Sequence, residues 1–191
     1  MKKSFLLLSA IILLTFTAGK LYSQQDEASM KKWMEAMTPG DMHKMLAANA
    51  GTWKAQTIYW MAPGGEPQKS EATATGEMIL GGRYLVSKYS GNMWGMPFEG
   101  MEIAGYDNTA KTFNSTWVDN MGTGMLFMTG KYDESKKQIN YSGQMMDPLS
   151  GKMCNVREIV THNSDGTMKM EMFGPDDKGT EFKMMEINFT K

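Results

Sequence analysis

From Gly51 to the end of the chain, apolar positions come in short strand-length runs separated by polar or glycine-rich breaks. The breaks read Pro63-Gly64-Gly65, Gly81-Gly82, Gly91 to Pro97, Asp107-Asn108 and Asp119 to Gly124. They continue as Asp133 to Lys136, Asp147 to Gly151, Asn163 to Gly166 and Pro175 to Gly179. Runs rich in Thr, Tyr, Val, Ile, Phe, Trp and Met between evenly spaced hairpin signals predict an all-β fold. Gly81-Gly82 reads as a two-residue hairpin that accepts positive φ. No stretch after residue 51 keeps a 3.6-residue period, which argues against crossover helices and a parallel sheet. The expected architecture is a single antiparallel meander of about ten strands, closed into a β-barrel because closure removes the edges.

The front of the chain follows another pattern. Thr38-Pro39-Gly40-Asp41 offers an N-cap, a proline at the first helical position and an acid three residues past the cap. The predicted short helix runs through Leu46 and stops at about Gly51, where it would plug one end of the barrel. Residues 28–37 form a second, weaker helical stretch. Further upstream, Lys2-Lys3 precedes an apolar run from Phe5 to Phe16 and then small and polar residues through Ser23-Gln24. This is the pattern of a signal peptide, with an apolar run too short to span a bilayer. Cleavage is placed near Ser23, with Gly19 as the alternative. The organisation expected is a signal peptide over 1–23, a helical lead over 24–37 and a barrel over 38–191. The mature protein would be exported, to the periplasm or beyond, without a membrane anchor.

Charge and composition narrow the chemistry. Twenty basic side chains face 21 acidic ones, and no basic stripe suits nucleic acid. The single cysteine, Cys154, excludes an internal disulfide and a cysteine-built zinc site, and reads as a buried inert thiol. There is no phosphate loop, no nucleophile elbow and no His-Glu-x-x-His, and no pair of carboxylates stands out by spacing. The 22 methionines are the compositional anomaly. Met168, Met170 and Met172 alternate with Lys169 and Glu171, as a core-facing strand does. Core filling is thus the first reading, a methionine-lined apolar pocket the second, and copper(I) binding the third.

Only two arginines, Arg83 and Arg157, stand among 18 lysines, so each is a candidate for planar, bidentate contact. If lysines mark the solvent face, Lys88 outward sends Arg83, Leu85, Ser87 and Tyr89 inward. On the last strand the same rule sends Lys183 out and Glu186 in. Arg157 and Glu158 are neighbours in a strand, so one of them must face the interior. A charge inside a barrel needs a partner or a ligand. Either an Arg–Glu pair holds the barrel together, or an arginine receives the polar head of a ligand. Trp117 leads into Asp119 and Asn120, which either build a turn or rim the barrel mouth.

Three stretches carry a family resemblance. They are His43-Lys44-Met45-Leu46 with Gly51-Thr52-Trp53, Ile79 through Leu85, and Pro97-Phe98-Glu99-Gly100 onward through Gly105-Tyr106-Asp107-Asn108 to Asp119-Asn120-Met121-Gly122-Thr123-Gly124. Together they resemble the domain-of-unknown-function family numbered 1579 over residues 38–191, which implies no activity. More distantly, a helix leading into Gly-x-Trp on the first strand is similar to the calycin barrels. That resemblance implies that Trp53 closes the barrel floor. Lipocalins often stack a last-strand arginine on this tryptophan, whereas Glu181 to Lys191 offers only lysines. Nitrobindins hold haem through a histidine near the C-terminus; no histidine follows His162, which lies beside a turn, so no cofactor is expected. His43 is read as a helix–barrel contact.

The combined expectation is an exported barrel that encloses a small apolar or amphipathic molecule. Arg83, Tyr89, Trp117, Asp119, Asn120, Arg157 and Glu186 are its candidate ligand contacts, and no catalytic or metal-binding residue is assigned. The alternatives are an enzyme using an inward arginine–acid pair, a solid-core interaction protein, or a copper binder. Oligomeric state and ligand identity stay open.

Overall fold

In a computed structural model of the chain, residues 26–148 and 150–191 are described. They contain a helix α1 over 26–37, a helix α2 over Asp41–Ala48 and ten strands. The strands are β1 (Gly51–Tyr59), β2 (Gln68–Ile79), β3 (Tyr84–Met93), β4 (Met96–Asp107) and β5 (Thr112–Asp119). They continue with β6 (Leu126–Asp133), β7 (Gln138–Met146), β8 (Met153–His162), β9 (Met168–Pro175) and β10 (Glu181–Thr190). Each strand pairs antiparallel with the next, and β1 pairs with β10 from Lys54↔Thr190 to Tyr59↔Met185. The result is a closed ten-stranded meander with no free edge.

Two-residue alternation generates the inside and the outside. In β1, Trp53, Ala55, Thr57 and Tyr59 are buried while Thr52, Lys54 and Gln56 are exposed. In β9, Met168 and Met172 are buried and Met170 packs with them, while Lys169 and Glu171 pair with each other on the outer face. The turns follow from local chemistry. Asp107 accepts hydrogen bonds from the Thr109 and Ala110 N–H groups, and Asp176 does the same for Lys178 and Thr180.

The chain divides into two units, Met1–Thr38 and Pro39–Lys191. In the first, α1 exposes Met30, Trp33, Met34 and Met37, and the Thr38 hydroxyl donates to the Met34 carbonyl. The expected signal peptide lies outside the described residues, and no described helix is long and apolar enough to cross a membrane. In the second, α2 begins later than Thr38 predicts, because Gly40 is its cap: the His43 Nδ1 accepts the Gly40 N–H at 3.0 Å. His43 and Leu46 are its buried residues, and the His43 ring meets Tyr106 edge-on at 6.0 Å. Burial foremost depresses the His43 pKa.

Two expectations about strand faces fail for definable reasons. The β2–β3 connection is four residues long, with Leu80, Gly81 and Gly82 all at positive φ. Arg83 therefore belongs to the turn, not to the inner face of β3, and its Nη1 donates to the Leu80 carbonyl. In β10 the register to β9 shifts between Lys183 and Met185. This extra residue puts Glu186 on the same face as Lys183, where parity alone would oppose them.

Candidate functional site

The α2 end of the barrel is closed by packing. Trp53 is buried against Ala55, Ala74, Met168 and Phe189, and its indole N–H donates to the Asn49 carbonyl at 2.9 Å. Lys191 lies over the ring at 4.6 Å from its centroid, so a lysine beyond the last strand supplies the cation. Farther along the axis the inner face stays partly uncovered. Tyr89, Glu102, Trp117, Glu158, Met170 and Ile187 lie on inward positions, yet each is only half-buried. Inward side chains at this level are thus less tightly covered than Trp53 and Phe189 at the α2 end.

One wall of this lumen is aromatic. Tyr89 meets Trp117 edge-on at 5.1 Å and Phe189 at 6.4 Å, and Phe98 stacks on Trp117 at 6.4 Å. Gly100 makes this possible, since a Cβ there would sit 2.5 Å from the Trp117 ring. Asp119 accepts the Trp117 indole N–H at 2.6 Å and the Met121 N–H at 2.9 Å. Asn120 accepts the Glu99 N–H and donates to the Pro97 carbonyl, each at 3.0 Å, so it pins the β5–β6 connection to β4. Asp119 and Asn120 thus position the turn and the tryptophan at the end of the barrel away from α2.

The other notable feature is acidic. Glu102 lies between Ser87 of β3 and Trp117 of β5, and Glu158 between Tyr141 of β7 and Met172 of β9. Both carboxyls are enclosed by the barrel, and among the described residues neither has a hydrogen-bond or ion-pair partner. Burial raises the Glu102 pKa to about 7. Burial, and then the charge of Glu102, raises Glu158 to about 8. The Tyr89 and Tyr141 hydroxyls are pushed well above the phenol range, by burial first and then by both carboxylates. Four polar groups therefore sense one another across the barrel interior. The Tyr141 ring is seated by Gly130, where a Cβ would come within 2.6 Å of it.

The two arginines stand elsewhere. Arg157 faces outward, donates to Glu181 through Nε at 3.2 Å and Nη2 at 2.8 Å, and stacks over Phe173 at 4.0 Å. Of the neighbouring pair it is Glu158 that faces in. Glu186 is also outside, 2.6 Å from Lys183 and 3.1 Å from Asn188. Of the candidates from the sequence, Tyr89 and Trp117 share the lumen, Asp119 and Asn120 support it, and Arg83, Arg157 and Glu186 do not enter it. Glu102 and Tyr141 escaped the sequence reading. The signal for Glu102 was its parity with Phe98, Gly100, Ala104 and Tyr106, a single acid on an otherwise uncharged inner face.

At the lower end, His162 is the last residue of β8, and both its ring nitrogens are buried without a partner among the described residues. Cys154 is half-buried and its Sγ donates to the Met145 carbonyl at 3.4 Å. No group of three or more His, Cys, Asp or Glu residues with metal-binding geometry occurs among the described residues. The chain matches no curated protein. A family model matches residues 38–191, the α2 segment and the whole barrel, and the chain belongs to that family, the proteins of unknown function designated DUF1579.

Proposed function

We propose that this protein is a small-molecule-binding barrel that holds an apolar or amphipathic ligand in its lumen. The observation that carries the reading is the half-buried inner face at Tyr89, Glu102, Trp117 and Glu158, which combines an aromatic wall with two carboxyls that have no partner among the described residues. A site of this kind, mostly apolar with a few convergent polar groups, suits a bound small molecule. Exposed Met61, Trp94, Met125, Phe127, Met146 and Met153 surround the end away from α2 and would ease passage of an apolar ligand. Export to the periplasm or beyond, expected from Lys2-Lys3 and the Phe5–Phe16 run, belongs to the same proposal.

Native mass spectrometry of the mature protein, purified without lipid-stripping detergent, tests this reading. An organic adduct that is lost from a Trp117→Ala variant of unchanged circular dichroism is the expected result. A bare chain, with no uptake from an added envelope lipid extract, would overturn it.

A second reading, catalysis, is favoured by one observation. Carboxyls held at about 7 and about 8 are poised to give and take protons near neutral pH. The acid pair would then act without the arginine that the sequence suggested. Turnover of a captured ligand that stops in Glu158→Gln distinguishes this from simple binding.

A further inference from the structure

Glu102 and Glu158 stand on opposite walls, four strands apart in the meander, and among the described residues the lumen between them contains hydroxyls but no counter-charge. From β3, Ser87 is 8% exposed beside Glu102; from β7, Tyr141 is 4% exposed beside Glu158. Neither hydroxyl has a protein partner among the described residues. The remaining titratable groups on the inner face are Tyr59 of β1, Tyr89 of β3, Tyr106 of β4, Tyr132 of β6, Cys154 of β8, Asp119 at the mouth and His162 at the far end. Asp119 is already engaged by Trp117 and Met121.

Among the described residues, the charged strand cations lie on the outer face. Lys54 pairs with Glu71, Lys169 and Lys183 with Glu171, Lys183 also with Glu186, and Arg157 with Glu181, all on the outer face. Lys88 and Lys131 are exposed, and Arg83 is in a turn. Buried acids without partners cost stability, so they are matched either by their own protons or by a ligand that brings positive charge.

We infer that the lumen selects an amphipathic amine, its cationic nitrogen held between Glu102 and Glu158 with hydroxyl support from Ser87 and Tyr141, and its apolar body along Tyr89, Trp117 and Phe98. This rests on the lumen-binding reading. It also inverts the sequence-based expectation of an arginine receiving a carboxylate. An ammonium group gains charge-assisted hydrogen bonds to the carboxyls that a neutral head cannot make. An anion or a fatty acid would meet two acids and no donor cation.

The test is calorimetric titration of the mature protein with octylamine, octanol and octanoate, which share a chain and differ in the head. The expected order is amine tightest, by about tenfold over the alcohol, with octanoate weakest. In Glu102→Gln/Glu158→Gln, with folding checked by circular dichroism, the amine should fall to the level of the alcohol. In Glu171→Gln/Glu186→Gln the preference should persist. Octanol or octanoate binding as tightly as octylamine would overturn the amine assignment while leaving the lumen reading intact. No binding of any of the three would overturn both.

Discussion

The barrel wall carries two pairs of glutamates that differ only in the face they occupy. Outside, Glu171 and Glu186 share Lys183 at 3.1 and 2.6 Å, and Lys169 adds a further contact to Glu171 at 3.2 Å. Inside, Glu102 and Glu158 have no cation and no hydrogen bond among the described residues. The outer pair is held in its charged form; the hydrogen bond from Lys183 first of all lowers Glu186. The inner pair is pushed toward its protonated form by the loss of water. The lesson is that strand parity, not residue type, decides whether a glutamate is a solvated surface charge or a reactive group in a closed space.

The largest expected effect separates the pairs by pH. Unfolded, Glu102 and Glu158 titrate near their ordinary 4.5, whereas in the barrel they reach about 7 and about 8. Between those limits the folded state holds more protons than the unfolded chain, so stability falls as pH rises. The contribution is complete below 4.5 and is lost through 7 to 8, on the order of 3 kcal/mol for Glu102 and on the order of 5 kcal/mol for Glu158. Urea unfolding from about pH 5 to about pH 9 should show this slope in the parent and a flatter one in Glu102→Gln/Glu158→Gln. An equally steep slope in that variant would contradict the assignment.

Next in size, Gly130→Ala should cost about 2 kcal/mol, because the new Cβ drives into the Tyr141 ring and distorts the inner wall. Thermal unfolding checks it, and a neutral result would mean that the ring is not seated there. Arg157→Ala removes an outer pair with Glu181 and the stack on Phe173, for about 1 kcal/mol. This loss should shrink in high salt and leave ligand binding unaltered. Smallest is Glu186→Gln, about 0.5 kcal/mol or less in denaturant titrations, since a partly exposed surface pair contributes little.

The strands and turns were legible because their signals are local. Alternation of buried and exposed residues marks β1 and β9, and aspartates at the hairpins accept their own following N–H groups. The inner acid pair was not legible as a pair, because Glu102 and Glu158 meet only when ten strands close. Half of it was within reach: the adjacency of Arg157 and Glu158 forces one of them inward, but the choice depends on Phe173 of β9 and Glu181 of β10. Arg83 and Glu186 were misplaced by backbone irregularities, a four-residue turn and a bulge, that shift parity without changing the hydrophobic pattern. The cation over Trp53 comes from Lys191, just past the last strand, where a search for arginine within that strand misses it.

The central claim is that two glutamates face an interior without counter-charge, and a carboxyl titration tests it most directly. Glutamate side chains labelled with carbon-13 and assigned through Glu102→Gln and Glu158→Gln would be followed by NMR across the pH range. The inner pair should titrate with apparent pKa values of about 7 and about 8, while Glu186 titrates below the ordinary 4.5. Titration of all these carboxyls at or below 4.5 would place Glu102 and Glu158 in water or beside a cation, and would contradict the claim.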